Sequence, residues 1–391
     1  MALNNISNKA LEILNSQSFN YVEQWQYTDV RKFKKISHCK KQFDLIDINT
    51  IENNTITVIN NSQIKNNLLN KEIGITTISK ALKNNQYNCK KIFNNIIPEY
   101  KNEFILYNTA YFQKGFFLHI HDNTIIKNPI YINNIIKANS PNEFINLRYL
   151  FHFGKNINAQ IIIKDDIIEN LNLNSVIEVI IEENSIIDII IESEKINVTQ
   201  IMNFSSIIKN NSELNIYSID ISGKLVRNNY FINLEYENST CNYSGVSLLK
   251  TNDHIDNFIE MNHENKYTFS SSNQKNILRQ NSKSIFYSKS TINKRSSFSE
   301  ANQKNKNIML SKKAIVHSNP QLEIYNNDVK CSHGSTTGEL DEQMLFYMRS
   351  RGLSLEAAKK MLLEGFLNEF IDSIKNKEFS VKLKNKINNW F

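Results

Sequence analysis

The segment VIEVIIEENSIIDIII, residues 176–191, shows the pattern that decides the fold. Two runs of β-branched residues flank four polar residues, and neither run has the three- and four-residue apolar spacing of a helix. Similar short apolar runs, bounded by Asn, Ser, Asp or Glu, recur at residues 161–163, 214–221 and 230–234. We therefore predict an all-β region from about Glu103 to Lys330.

Two β architectures are compatible with such runs. A sandwich or an antiparallel barrel needs tight turns, yet the chain has only nine Gly and four Pro and no Asn-Gly pair. A parallel β-helix instead stacks like residues over like residues, with Ile and Val in the core and Asn and Ser at the corners. The composition favours the β-helix, with coils of about 20 to 25 residues and roughly ten coils in all.

The regions on either side have a different pattern, which divides the chain into three parts. Residues 1–100 are predicted to be mixed and partly helical, since Ala10, Leu11 and Leu14 form a short apolar stripe. Residues 101–335 form the predicted β-helix core, and residues 336–391 form a predicted C-terminal helical domain.

The C-terminal part carries helix start and stop signals. Asp341 can cap a helix that runs through Arg349, Gly352 suits a left-handed stop, and Ser354 can cap a second helix. Residues at three- and four-residue steps give the second helix an apolar stripe, formed by Ala358, Met361, Leu362, Gly365, Phe366 and Phe370. This stripe could pack on the chain's own β-helix or dock a partner.

Charge, cysteine content and hydropathy argue against a nucleic-acid-binding, disulfide-rich or membrane-spanning protein. The net charge is +7, but Lys and Arg are scattered without a dense basic stripe, which argues against nucleic-acid binding. Cys39, Cys89, Cys241 and Cys331 form no CxxC pair, so no disulfide framework is expected. The N-terminal residues lack a signal-peptide pattern and no uncharged apolar run approaches a membrane span, so we expect a soluble cytoplasmic protein.

The chain contains no motif for nucleotide binding or acyl transfer. A GxxxxGK[ST] loop, a GxGxxG turn and a GxSxG elbow are all missing from the sequence. We therefore expect this chain to bind no nucleotide and to hydrolyse no ATP.

Three groups of potential metal ligands remain. His119 and His121 lie two apart on a strand and share a face, but no third ligand follows at a recognisable spacing, so we interpret them as ordinary strand histidines. His263-Glu264 lacks the second histidine of a zincin helix. Cys331 and His333 also share a face, and a thiolate and an imidazole are both competent iron ligands. Because iron in a cluster usually has four ligands, this pair would need further ligands from elsewhere, such as those of another subunit at an interface.

Residues 320–338, PQLEIYNNDVKCSHGSTTG, resemble the C-terminal signature of the SufB/SufD family of SUF iron–sulfur cluster assembly proteins. The resemblance continues through residues 340–352. Near the other end, residues 24–29, QWQYTD, are similar to the family's W-K-Y-T-D element, with Gln26 in place of the usual Lys. Residues 115–120 and 129–132 resemble the start of the family's β-helix.

Two features make the chain resemble the SufD branch rather than the SufB branch. SufB sequences have an E-H-E-A-T-type stretch where this chain has residues 331–337, and a cysteine that aligns with Ala314. His317 departs from this pattern, because it falls where SufB chains often carry His.

The resemblance implies a mainly β protein with a right-handed parallel β-helix. It also implies a heterodimer with a SufB-like paralogue, or a homodimer in isolation, and docking of a SufC-like ABC-type ATPase. A nascent iron–sulfur cluster would be built at the shared interface, with His333 as a ligand or interface group and Cys331 as its neighbour. The implied docking residues on the C-terminal helices are Leu345, Met348, Met361, Leu362, Phe366 and Phe370.

Two other functions are compatible with a β-helix. One is a carbohydrate-active enzyme of the pectate-lyase kind, and the other is a purely structural β-solenoid. The missing secretion signal argues against the first.

Overall fold

The computed structural model describes residues 2–16, 18, 25–38, 54–59, 63–68, 70, 72–96, 102–137, 143–168 and 171–391. Over these residues the chain is mainly β and forms a parallel β-solenoid, which confirms the fold class predicted from the sequence.

The chain order of the elements is as follows. The helices are α1 Ala2–Ser16, α2 Arg31–Lys34, α3 Ile78–Asn84, α4 Cys89–Ile92, α5 Glu103–Tyr111, α6 Glu342–Ser350, α7 Leu355–Ser373 and α8 Lys377–Trp390, with a 3-10 turn at Gln86–Asn88. The strands are β1 Ser37–His38, β2 Thr55–Ile59, β3 Gln63–Asn66, β4 Ile73–Thr76, β5 Phe116–Ile120, β6 Ile130–Lys137, β7 Glu143–Phe153, β8 Asn158–Ile168, β9 Asn172–Ile181, β10 Ile186–Glu194, β11 Thr199–Ile208, β12 Glu213–Ile221, β13 Leu225–Leu234, β14 Thr240–Leu249, β15 His254–His263, β16 Phe269–Leu278, β17 Lys283–Ile292, β18 Glu300–Met309, β19 Ile315–Ile324 and β20 Lys330–Gly338.

Each coil gives one strand to each of two sheets. Sheet A has the order β19-β17-β15-β13-β11-β9-β7-β5-β4, with β1 beside β7, and sheet B has the order β20-β18-β16-β14-β12-β10-β8-β6-β2-β3. The pairs along the coils are parallel, whereas β3 joins β2 and β4 joins β5 in antiparallel fashion. Strands that are two apart in the chain are therefore neighbours in space.

A column of left-handed residues marks one corner of the coils. Each column member lies two residues before a sheet B strand and has a positive φ; the members are Asn156, Asn184, Asn211, Asn238, Tyr267 and Phe298. Asparagine tolerates this conformation because its short side chain can hydrogen-bond locally. Successive members are 27 to 31 residues apart, so the predicted coil length of about 20 to 25 residues was wrong. The solenoid has about seven turns rather than ten.

The interior changes from apolar to polar along the solenoid. One inward column in sheet B stacks Ile161, Ile189, Ile216, Tyr243, Ser272 and Gln303, all at most 1% exposed. Its first four members lie in the main hydrophobic cluster. The last coils are filled instead by hydrogen-bonded polar side chains such as Asn276 and Asn307, whose amides lie 2.7 Å apart. Hydrogen-bond partners make such a polar interior tolerable.

The N-terminal helices cover the outer face of sheet A. In α5, Asn108 Nδ2 donates to the carbonyls of Leu147 and Asn174 at 2.9 and 2.8 Å, which fixes the helix on β7 and β9. Behind α5, Arg148 Nε donates to Glu178 Oε2 at 3.0 Å, and both side chains are fully buried. A buried charge needs such a partner, because burying it alone is very costly.

The C-terminal helices cover the outer face of sheet B. Leu367, Phe370 and Ile371 of α7 are buried in one cluster with Tyr217 and Val246 of the sheet. The predicted helix signals are confirmed: Asp341 caps α6, Ser354 caps α7, and Gly352 between them has a φ of +95°. The buried face of α7 includes Leu363 and Leu367, which the predicted apolar stripe did not contain.

Within the described ranges, no helix is both long enough and apolar enough to cross a membrane. Cys89, Cys241 and Cys331 are free thiols, while Cys39 lies outside the described residues.

Candidate functional site at the open end of the solenoid

The two sheets end at β19 and β20, and each of these strands has a hydrogen-bonded neighbour on one side only. The strands of the last coil are 10 and 9 residues long, and β20 is exposed along nearly its whole length. The chain then continues into α6 and α7, and α7 lies against the outer face of sheet B. The C-terminal end of the solenoid is therefore an open mouth.

Cys331 and His333 lie on the inner face of this mouth. In the register of β18 and β20, Cys331 stacks on Ala301 and His333 stacks on Gln303, and both underlying residues are buried inside the solenoid. Alternation along a strand places the two side chains on the same side, about 7 Å apart at their Cβ atoms. The predicted sharing of one face thus follows directly from the strand register.

The two side chains of the mouth differ in environment. Cys331 is half-buried, and burial raises the pKa of its thiol, although the backbone N–H of Ala301 acts in the opposite direction. His333 is exposed. Across the mouth, Ser335 of β20 hydrogen-bonds Ser318 of β19 at 2.8 Å. Among the described residues, no group of three or more His, Cys, Asp or Glu is arranged to hold a metal ion.

The pair His119 and His121 belongs to a different place, on the outer face of sheet A. His119 lies 3.0 Å from His152 and 3.3 Å from His121 between ring nitrogens, and His152 lies 3.3 Å from Glu182. Tyr87 stacks on His119 at 4.4 Å between ring centroids. Burial, together with the neighbouring histidines, lowers the pKa of His119 to about 3, so this ring is neutral. Sequence spacing did not reveal His152, which is brought to His119 by the pairing of β5 with β7.

The other two histidines noted in the sequence make contacts within the folded chain. His263 is buried and contacts Thr268 and Ser270 through its two ring nitrogens. His317 lies on the outer face of β19, where its ring stacks on Tyr27 at 3.9 Å between centroids. His317 is therefore turned away from the mouth that holds His333.

The predicted docking residues of the C-terminal helices fall into two sets. Phe370 is buried against sheet B, where its ring lies 6.3 Å from that of Tyr217, and Met348 is also buried. Leu345, Leu362 and Phe366 are half-buried, and Met361 is 58% exposed. Five large exposed apolar residues that were not among the predicted docking set precede Met361 in the chain, namely Met344, Phe346, Tyr347, Leu353 and Leu355. We call Met361 and these five residues the hairpin patch.

Comparison with known proteins found two family profiles that match this chain. A profile described as "SUF system FeS cluster assembly, SufBD core domain" matches residues 135–366, and one for the SufBD protein N-terminal region matches residues 1–132. The chain belongs to the SufBD family. The resemblance deduced from the C-terminal signature is thereby confirmed.

Curated relatives of this SufBD protein include several SufD proteins. It is 29% identical to the iron–sulfur cluster assembly protein SufD of Escherichia coli over 160 residues, or 41% of this chain and 38% of the relative. It is 30% identical to a SufBD family protein of Synechocystis over 167 residues, 42% and 36% of the two chains. A SufBD family protein of Staphylococcus saprophyticus matches 78% of this chain and 66% of its own length at 20% identity. The chain thus spans less than two-fifths of the first two relatives.

The N-terminal element similar to the family's W-K-Y-T-D motif is a clamp on the SufBD solenoid. Thr28 hydrogen-bonds both His254, at 3.0 Å, and Asp256, and it is fully buried. The guanidinium of Arg227 pairs with Asp256 at 2.6 Å and lies over the ring of Trp25. Gln24, the first residue of the motif, lies outside the described residues. Trp25 and Thr28 of the motif thus meet Arg227 and Asp256 at one buried point, whereas Gln26 and Asp29 are exposed.

Proposed function

We propose that this SufBD protein is a non-catalytic scaffold subunit of the cytoplasmic SUF machinery. It pairs with a SufB-like paralogue through the open mouth, docks a SufC-like ATPase through the hairpin patch, and offers Cys331 and His333 to a nascent iron–sulfur cluster. The observation that carries the proposal is the placement of a thiol and an imidazole on the inner face of an uncapped terminal coil.

The unpaired edges of β19 and β20 support pairing with a second solenoid. An edge strand presents unpaired N–H and C=O groups, which are a template for another chain to add strands. Two ligands on one rim also leave a cluster iron short of its usual four. A paralogue that abuts the same rim would both satisfy the edges and complete the ligand set.

Exposed apolar side chains support docking at the hairpin patch. Phe346 of α6 is 74% exposed and Met361 of α7 is 58% exposed, and α7 packs on sheet B through its buried residues. Clustered apolar exposure of this kind marks interaction surfaces. A partner that moves would then act on α7 and, through its buried face, on several coils at once.

The ligand claim is tested with a His333→Ala variant that is co-expressed with its SufB-like and SufC-like partners. We expect the complex to assemble but to lose most of its cluster iron on reconstitution, because one ligand is missing from the shared site. Iron content, sulfide content and the visible absorbance of the purified complex measure this. The matched control is His121→Ala, an exposed histidine on the outer face of sheet A. Unchanged cluster yield in the His333→Ala complex would remove His333 from the site.

A further inference from the structure

A buried glutamine lies directly beneath His333. Gln303 of β18 is the register partner of His333, one coil further into the solenoid, and it is 1% exposed. Neighbouring strands are about 4.8 Å apart, which is within stacking range for two long side chains on one face. The side chain of Gln303 therefore forms the floor under the imidazole.

The orientation of the Gln303 amide is fixed by the two hydrogen bonds that its NH2 group donates. Its Nε2 donates to Ser290 Oγ at 2.8 Å and to the backbone carbonyl of Gln321 at 3.0 Å. A carbonyl can only accept, so the NH2 group must face Gln321 and the amide cannot be reversed. The other atom, Oε1, is buried and has no hydrogen-bond partner among the described residues. A buried acceptor without a donor is destabilising, and such an atom calls for an explanation.

We infer that Gln303 is a positioning residue: when the exposed imidazole of His333 turns down onto it, the free Oε1 accepts a ring N–H and so fixes the tautomer and orientation of the ring. This inference rests on the proposed function. A neutral imidazole has one N–H and one lone-pair nitrogen. When the N–H is held by a neighbouring acceptor, the lone pair of the other nitrogen is free to bind iron, which is the common arrangement around metal-binding histidines.

Cys331 lacks a comparable support. Its register partner is Ala301, whose methyl side chain offers no acceptor. The two columns of the mouth are therefore not equivalent: one places a polar acceptor under the imidazole, and the other places a methyl group under the thiol. The side chain whose orientation is fixed from below is therefore His333 and not Cys331.

The inference is tested by the tautomer of His333 in the full-length chain. Histidine is labelled with nitrogen-15, the His333 ring signals are assigned with a His333→Gln variant, and the ring is observed where the spectra show it to be neutral. We expect one tautomer in the unsubstituted chain, and about a fivefold change in the tautomer ratio for Gln303→Met, since a single hydrogen bond is lost.

The matched control is Gln274→Met. Gln274 is equally buried inside the solenoid, but its Oε1 already accepts a hydrogen bond from Tyr243. Its register partner is Asn305, so it does not lie beneath His333. This variant should lose stability as Gln303→Met does, yet leave the His333 tautomer unchanged. A mixed tautomer in the unsubstituted chain, or equal shifts in both Met variants, would overturn the inference.

A second measurement separates this inference from the proposed function. In the assembled complex, Gln303→Met should weaken iron retention against a chelator by about tenfold or more, as loss of a supporting hydrogen bond does at other metal sites. If the tautomer changes but His333→Ala keeps its iron, the proposed function fails while the orientation by Gln303 stands. If His333→Ala loses iron but Gln303→Met changes neither tautomer nor retention, only the role of Gln303 fails.

Discussion

At the scale of single residues, burial gives two histidines of this SufBD protein opposite roles. His263 is fully buried and uses both ring nitrogens, each 2.7 Å from a hydroxyl of Thr268 or Ser270. His333 is exposed and lies in the open mouth. The first histidine is thus part of the polar interior, and the second is accessible to a partner or to iron.

Burial of His263 predicts acid sensitivity. Desolvation lowers its pKa to about 3 in the folded chain, whereas an unfolded histidine titrates near about 6.5. The unfolded state therefore binds the proton first, so the stability contributed by neutral His263 is complete above about pH 6.5 and is lost as the pH falls toward about 3. Replacing His263 with Gln should flatten this dependence by up to about 1.4 kcal/mol per pH unit.

The measurement is the free energy of unfolding in urea between about pH 7.5 and about pH 5. His333→Gln is the matched control, because it makes the same replacement at an exposed position instead of a buried one. An identical slope for His263→Gln and the unsubstituted chain would contradict the assignment of acid sensitivity to His263.

At the scale of elements, the coil corners depend on asparagine. Asn211 has a φ of 56° and forms side-chain hydrogen bonds with Asn184 at 3.3 Å and with Asn238 at 3.0 Å. Further along, the same position is taken by Tyr267 and Phe298, whose exposed rings stack at 5.3 Å between centroids. The corner thus keeps its backbone conformation while the side-chain ladder changes from amides to rings.

Two substitutions at Asn211 separate the stability contributed by its backbone conformation from that contributed by its side-chain hydrogen bonds. Asn211→Gly keeps the left-handed conformation without strain but loses the amide hydrogen bonds, so we expect a small loss of stability. Asn211→Ala loses the same hydrogen bonds and also places a Cβ in the left-handed region, which costs about 1–2 kcal/mol more. Thermal unfolding should therefore rank the unsubstituted chain above Gly and Gly above Ala. An Ala variant as stable as the Gly variant would show that backbone strain does not govern the corner.

At the scale of the whole molecule, the clamp, the hairpin patch and the mouth lie at separate places on the solenoid. The N-terminal clamp reaches as far as β19, where Tyr27 stacks on His317. The C-terminal helices rest on sheet B from Ile162 of β8 to Ile277 of β16. Force applied to α7 is therefore spread over many coils, since each coil is hydrogen-bonded to the next. This geometry supports a lever between the hairpin patch and the mouth.

Docking at the hairpin patch predicts a specific binding defect. Met361→Glu places a charge within the hairpin patch, and we expect at least about a tenfold loss of affinity for the SufC-like ATPase, because the carboxylate would be desolvated. Val381→Glu is the matched control, since Val381 is 61% exposed on α8 outside the patch. Co-purification and calorimetric titration measure binding, with circular dichroism to confirm the fold. Equal binding by both variants would place the ATPase elsewhere.

The sequence by itself determined the features that depend on neighbours in the chain. The short β-branched runs, the caps at Asp341 and Ser354, and the shared face of Cys331 and His333 all follow from local backbone geometry. The family signature also determined the family, because it is carried by one continuous stretch.

The tertiary structure decided what depends on stacking between coils. The coil length was mispredicted because the corner spacing varies from 27 to 31 residues and asparagine is abundant throughout the chain. Likewise, the position of Gln303 under His333, the meeting of His119 with His152, and the face of α7 that packs on sheet B are set by residues about 30 to 150 positions apart. No local pattern encodes such contacts, because they arise only when one coil is laid on the next.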